Sequence, residues 1–274
     1  MKPYTQDEKG TTYNINTEDE VDRIITQNYK IMNGRFVGNP NIINLVIPEN
    51  IEYVGAYAFK GCPNLWRVQI EGATIIFKDA FKGCTNLKIV SLSEDVKTIA
   101  KHAFAYTGLS SINIPKNTRI EEYAFEKSKL KYAFIPDVNN IEHGVFHDCE
   151  ELSNVTILGG EVIRNWTFHG CRSLTNIKLP ASITEIKDNA FTDTGLTRVE
   201  IPSTTIVGEW AFDPGVEIVR YSRTDEHLLS IMCRNFLNNK NYSNEEKQQA
   251  ENLIARLINR ENMYEHELFE DDIK

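Results

Sequence analysis

"AFKGCPNLWRVQI" at residues 58–70 and "AFKGCTNLKIVSL" at residues 80–92 are one phrase written twice, 22 residues apart. Ala, Phe, Gly, Cys, Asn and Leu are kept while the letters between them drift. Followed outward, the phrase becomes a series: Phe36, Phe59, Phe81, Phe104, Phe125, Phe146, Phe168, Phe191 and Phe212, always 21 to 23 residues apart. Five residues before each Phe stands an aliphatic residue, from Ile31 and Val54 to Ile186 and Val207. Five or six residues after most of them begins a Leu-x-x-Val-x-Ile pattern, as in Leu65/Val68/Ile70, Leu87/Val90/Leu92, Leu109/Ile112/Ile114 and Leu196/Val199/Ile201. The kept letters read as inward positions, and the drifting ones face water.

A unit of about 22 residues with one short alternating strand cannot bury its apolar side alone, whereas stacked copies share one continuous core. About nine units therefore predict a repeat solenoid over residues 28–221 with one short parallel strand per turn. At roughly 4.8 Å between neighbouring strands, the ladder would be on the order of 40 Å long. Units with six residues from Phe to Leu ("FKGCPNL", "FHDCEEL", "FHGCRSL") differ from those with five ("FAYTGL", "FEKSKL", "FTDTGL") by one residue in the turn. The inward positions stay in register, because a loop tolerates deletion and a core does not.

The combination I-x-x-x-A-F-x-x-C-x-x-L-x-x-V-x-I-P at this period resembles the BspA-like, or Treponema-type, leucine-rich repeat over about residues 28–221. The resemblance implies a right-handed leucine-rich-repeat superhelix in proteins that typically bind other proteins, often at microbial surfaces. It implies no enzymatic activity, no cofactor and no catalytic residue to transfer.

Composition narrows the function classes. A formal charge of −9 and a pI near 5.3 oppose general nucleic-acid binding, which needs clustered Lys and Arg. No apolar run approaches the roughly 18 residues of a bilayer span, so membrane insertion is not expected. The polar start "MKPYTQDEKG" lacks the apolar core of a secretory signal, which points to the cytoplasm, with a cell surface or virion as the alternative. Five cysteines (Cys62, Cys84, Cys149, Cys171, Cys233) with no CxxC pair do not make a disulfide framework, and buried thiols are expected.

Both ends depart from the repeat. In the segment 1–27, "NTEDEVDRIITQ" offers Thr17 as an N-cap with Glu20 three residues on, predicting a capping helix over 18–27. After Tyr221 the period changes. Leu228, Leu229, Met232 and Phe236 form one helical stripe, and Ala250, Leu253, Ile254, Leu257 and Ile258 form another. Joined near 238–243, they predict an antiparallel helical hairpin in 222–274 with an acidic tail, either capping the last repeat or docking another copy or partner.

Chemistry-bearing motifs are absent: no phosphate loop, GxSxG elbow or HExxH occurs. His147-Asp148-Cys149 and His169-Gly170-Cys171 occupy equivalent positions in adjacent units and have the residue types of a zinc site. Cys fills the same inward turn position in "KGCPN" and "KGCTN", so structural packing is the expectation and no metal is assigned. Trp166 and Trp210 stand two residues before their anchor Phe, in slots filled elsewhere by Tyr57, His102 and Tyr123, and are expected to be partly buried along a flank.

The variable letters of the strand carry the readable surface. Residues on either side of the central Val point away from the core. One column reads Asn44, Arg67, Ile89, Ser111, Tyr132, Asn154, Asn176, Arg198, Ile218, and the other Val46, Gln69, Ser91, Asn113, Phe134, Thr156, Lys178, Glu200, Arg220. Both place an aromatic in the fifth unit. Tyr132 and Phe134, with Leu158 beside them and Asn113, Asn154, Thr156, Asn176 and Lys178 around them, have the composition of a protein-binding hot spot with a polar rim. The expected function is a non-enzymatic protein-interaction module. The alternative is a structural subunit of a larger assembly that docks through its C-terminal helices.

Overall fold

The computed structural model describes residues 4–6, 12–14 and 30–221. The chain divides into units Met1–Tyr221 and Ser222–Lys274. The capping helix expected at 18–27 and the hairpin expected in 222–274 lie outside the described residues. Near the start, Tyr4–Gln6 and Thr12–Asn14 pair as a small antiparallel ribbon.

From residue 30 the chain winds as a parallel β-solenoid of about nine turns among the described residues. The Leu-x-x-Val-x-Ile segments form the first ladder. Asn44–Ile47, Arg67–Ile70 and Ile89–Leu92 pair in parallel, as do Ser111–Asn113, Tyr132–Ile135 and Asn154–Ile157, and finally Arg198–Pro202 with Glu217–Tyr221. Tyr132–Ile135 alternates exposed and buried, the pattern of a strand with one wet and one dry face.

Eight of the described turns also contribute a second, two-residue strand that the apolar pattern does not reveal, and the sixth makes only the single bridge of Ile141 to Ile120. Each such strand ends on the aliphatic residue five before Phe. Lys30–Ile31, Tyr53–Val54, Ile75–Ile76, Thr98–Ile99 and Arg119–Ile120 run as one ladder. Val162–Ile163, Glu185–Ile186 and Ile206–Val207 form another. Two residues are too few to show alternation, which is why only the inward aliphatic leaves a mark on the sequence.

Between the two ladders lies the turn that carries the anchor Phe. The residue two before Phe has positive φ in every turn: Gly34, Tyr57, Asp79, His102, Tyr123, Gly144, Trp166, Asn189 and Trp210. The residue two after Phe repeats this from Gly38 through Gly61, Gly83, Tyr106, Lys127, Asp148 and Gly170 to Asp193. Alternating left- and right-handed residues turn successive N–H groups toward the next coil. Gly34, Phe36 and Gly38 donate to the carbonyls of Ala56, Ala58 and Lys60 at 2.7–2.8 Å, and the same triple recurs in later turns. Backbone groups that a simple loop would leave to water are thus paired coil to coil.

The core follows from this stacking. The nine Phe rings form an unbroken column, with neighbouring centroids 5.0–5.6 Å apart and planes within 14° of parallel. Leu65, Val68, Ile76 and their equivalents close around it. Cys62, Cys84, Cys149 and Cys171 are buried free thiols, and each donates to the carbonyl of the Phe one coil earlier, at 3.0–3.3 Å. Thr107 and Thr194 occupy the same place and donate to Phe104 and Phe191 of their own coils. Cysteine is kept here as a small buried donor, and burial pushes the Cys149 thiol up to about 12, where it is inert.

One expected alignment is corrected in the last coil. Arg198 pairs with Glu217 and Glu200 with Val219, so Ile218 and Arg220 stand in register with the inward Val199 and Ile201, although both side chains are exposed. Phe191 and Phe212 are themselves bridged. Eight residues separate Phe191 from Val199 while six separate Phe212 from Ile218, and the shorter Asp213-Pro214-Gly215 turn moves the final strand along.

Candidate functional site

The eight residues singled out on the ladder all stand exposed. Tyr132 lies in register between Ser111 and Asn154, and Phe134 between Asn113 and Thr156. Thr156 is bridged onward to Lys178. Leu158 follows the sixth strand, with its N–H held by the Ile135 carbonyl at 3.0 Å. Asn176 lies outside any assigned strand, two residues before Lys178. Their backbone positions are fixed by Ala133, Ile135 and Ile157, which alternate with them and are buried.

The apolar members are large and wet: Tyr132 is 55% exposed, Phe134 37% and Leu158 62%. Parallel strands roughly 4.8 Å apart place side chains of one outward row in contact range. The immediate neighbours on this face are uncharged, through Asn113, Asn154, Thr156 and Asn176. Charge enters at Lys178, next to Thr156, and continues further out, where Arg67 flanks one side and an Arg198–Glu200 pair at 3.1 Å the other. An uncharged, aromatic centre within a charged periphery is the anatomy of a protein-binding patch.

The His/Asp/Cys constellation is divided by the fold. Cys149 and Cys171 turn inward onto the Phe carbonyls and leave it. His147 and His169 stay on the flank, their rings stacked with centroids 4.8 Å apart and planes 3° from parallel. The Asp148 carboxylate reaches both, 3.2 Å from Nδ1 of His147 and 4.0 Å from Nδ1 of His169. Burial holds the His147 imidazole below its ordinary value, opposed by the Asp148 charge. On the same flank Trp166 and Trp210 are 39% and 59% exposed, more open than expected, and what their column shares is the left-handed backbone.

With this geometry in place, comparison assigns the class. The model of the BspA type leucine rich repeat region matches in six copies, over residues 21–131, 115–219 and 139–242, and the chain belongs to that family. Proteins of this family commonly bind other proteins, often at microbial surfaces, as the resemblance implied. Among solved structures, a leucine-rich repeat protein from Bacteroides ovatus is 23% identical, with 80% of this chain and 58% of that one covered at a TM-score of 0.61. One from Eubacterium ventriosum is 18% identical over 66% of this chain and 61% of that one, with a TM-score of 0.45. The T. pallidum leucine-rich repeat protein is 23% identical over 48% of this chain and 78% of that one, with a TM-score of 0.38. The chain thus spans about three fifths of the length of the first two. No curated protein matches.

Proposed function

We propose that the solenoid is a non-enzymatic recognition module that presents its open ladder to a protein partner. Tyr132, Phe134 and Leu158 form the apolar centre, and Asn113, Asn154, Thr156, Asn176 and Lys178 the polar rim. The observation that carries this reading is the pair of large aromatics at adjacent outward positions of one central strand, exposed and bordered by uncharged side chains. Burying such rings in a partner supplies most of an interface's free energy, while the rim excludes water and sets orientation. Hydrogen-bonded coils hold the face rigid before contact, so little conformational entropy is lost on binding.

The test is a paired capture experiment with two full-length baits, the natural chain and the Tyr132→Ala/Phe134→Ala double variant, followed by affinity measurement for each protein retained. Both side chains stand outside the core, so the variant should unfold within about 0.5 kcal/mol of the parent. It should bind partners more than about tenfold more weakly, as loss of a hot-spot aromatic does. Equal affinity of both baits for every partner would remove the ladder from the account.

A further inference from the structure

The flank opposite in chemistry to the aromatic ladder carries a second site. We propose that His147, Asp148 and His169 bind a divalent transition cation of the zinc type. One ligand atom from each, the Nδ1 or Nε2 of the imidazoles and a carboxylate oxygen, lies within 4.8 Å of the other two. The three residues come from two successive coils, so the repeat itself brings them together.

Three features support a cation here. The first is an unspent donor set. Nδ1 of His147 and Nδ1 of His169 are buried, and neither makes a hydrogen bond among the described residues. The Asp148 carboxylate stands 3.2 Å from the first and 4.0 Å from the second. The second feature is donor chemistry: imidazole nitrogens with one carboxylate oxygen suit zinc, nickel or copper over calcium or magnesium. The third is reach. At metal–ligand distances of roughly 2.0–2.2 Å, tetrahedral ligand atoms stand about 3.3 Å apart. His147 and Asp148 already meet that spacing, and His169 closes the remainder by turning a side chain that is one quarter exposed.

The cysteines next in sequence are excluded, because their thiols are occupied by Phe125 and Phe146 carbonyls inside the core. Lys127 is a built-in competitor, its Nζ 3.6 Å from Asp148 Oδ2. A cation arriving at the carboxylate displaces this ammonium, so removing Lys127 strengthens the site.

Calorimetric titration of the full chain with zinc chloride, paired with cobalt(II) absorption spectra, tests the proposal. The variants are Asp148→Asn, His169→Gln and Lys127→Ala. Asn tolerates the left-handed backbone at 148, and circular dichroism confirms folding for each. The expected result is one cation per chain at this site, binding weakened more than about tenfold in Asp148→Asn and His169→Gln, and tightened in Lys127→Ala. No binding by the natural chain, or binding that Asp148→Asn and Lys127→Ala both leave unchanged, overturns it.

Discussion

Two residues before every anchor Phe, and two after most of them, the backbone is left-handed whatever side chain the sequence supplies. For an L-residue that conformation costs roughly 1–2 kcal/mol, and glycine avoids it. At Gly61, φ is +68° and a Cβ would meet nothing within 4 Å, so strain is isolated there from packing. Gly61→Ala is expected to lower stability by about 1 kcal/mol in denaturant unfolding; no change would mean that the turn relaxes freely. His102, at another of these positions, is packed against Tyr123 with ring centroids 5.5 Å apart. Burial, assisted by Lys82 and Lys101 against Glu126 and Asp79, holds its imidazole below the ordinary 6.5. A depressed imidazole favours the neutral form in the folded chain. Its contribution is therefore present above pH 6.5 and lost as pH falls through and below that value. Thermal unfolding should shift downward between about pH 7 and pH 5, and His102→Asn should shift less over the same interval. An identical shift would assign the effect elsewhere.

At the scale of the element, the unit of cohesion is one coil against the next. Each coil adds a Phe to the stacked column, an aliphatic to each ladder and a set of N–H donors to its neighbour, so no coil is stable without an adjacent one. Phe125, 5.6 Å from both Phe104 and Phe146, sits midway along the column. Phe125→Ala should cost about 3–5 kcal/mol by urea unfolding, and a cost below about 1 kcal/mol would mean that the column is not the core's spine. The Phe and Leu positions are legible in the sequence, because burial on a period of about 22 residues leaves a strong mark. The second ladder and the left-handed turns are far harder to see. Two-residue strands are too short for alternation, and the backbone requirement is masked where Tyr57, His102 and Trp166 accept the strain. Recurrent Gly, Asn and Asp at those columns, as in Gly34, Asp79, Gly144 and Asn189, is the signal that marks them. The register shift of Glu217–Tyr221 is hidden for another reason: side-chain type alone continues the outward columns, while the shortened turn at Asp213-Pro214-Gly215 decides the pairing.

For the whole molecule, a rigid stack turns repetition into a surface, and the departures from the repeat decide what that surface recognises. Leucine-rich-repeat architecture is legible because inward letters recur; the binding face is legible only as composition, since a partner leaves no periodicity. Exposed Tyr132, Phe134 and Leu158 in the central coils concentrate large apolar area on the open ladder, with charge further out along it. This arrangement predicts binding that weakens little with salt, because the centre of the contact is uncharged. The most direct measurement is the dissociation constant of a captured partner for the natural chain and for Tyr132→Ala/Phe134→Ala, taken side by side on full-length folded protein. An increase of more than about tenfold in the double variant is the predicted result. Unchanged affinity, with both chains equally stable, would contradict the assignment of the open ladder as the recognition surface.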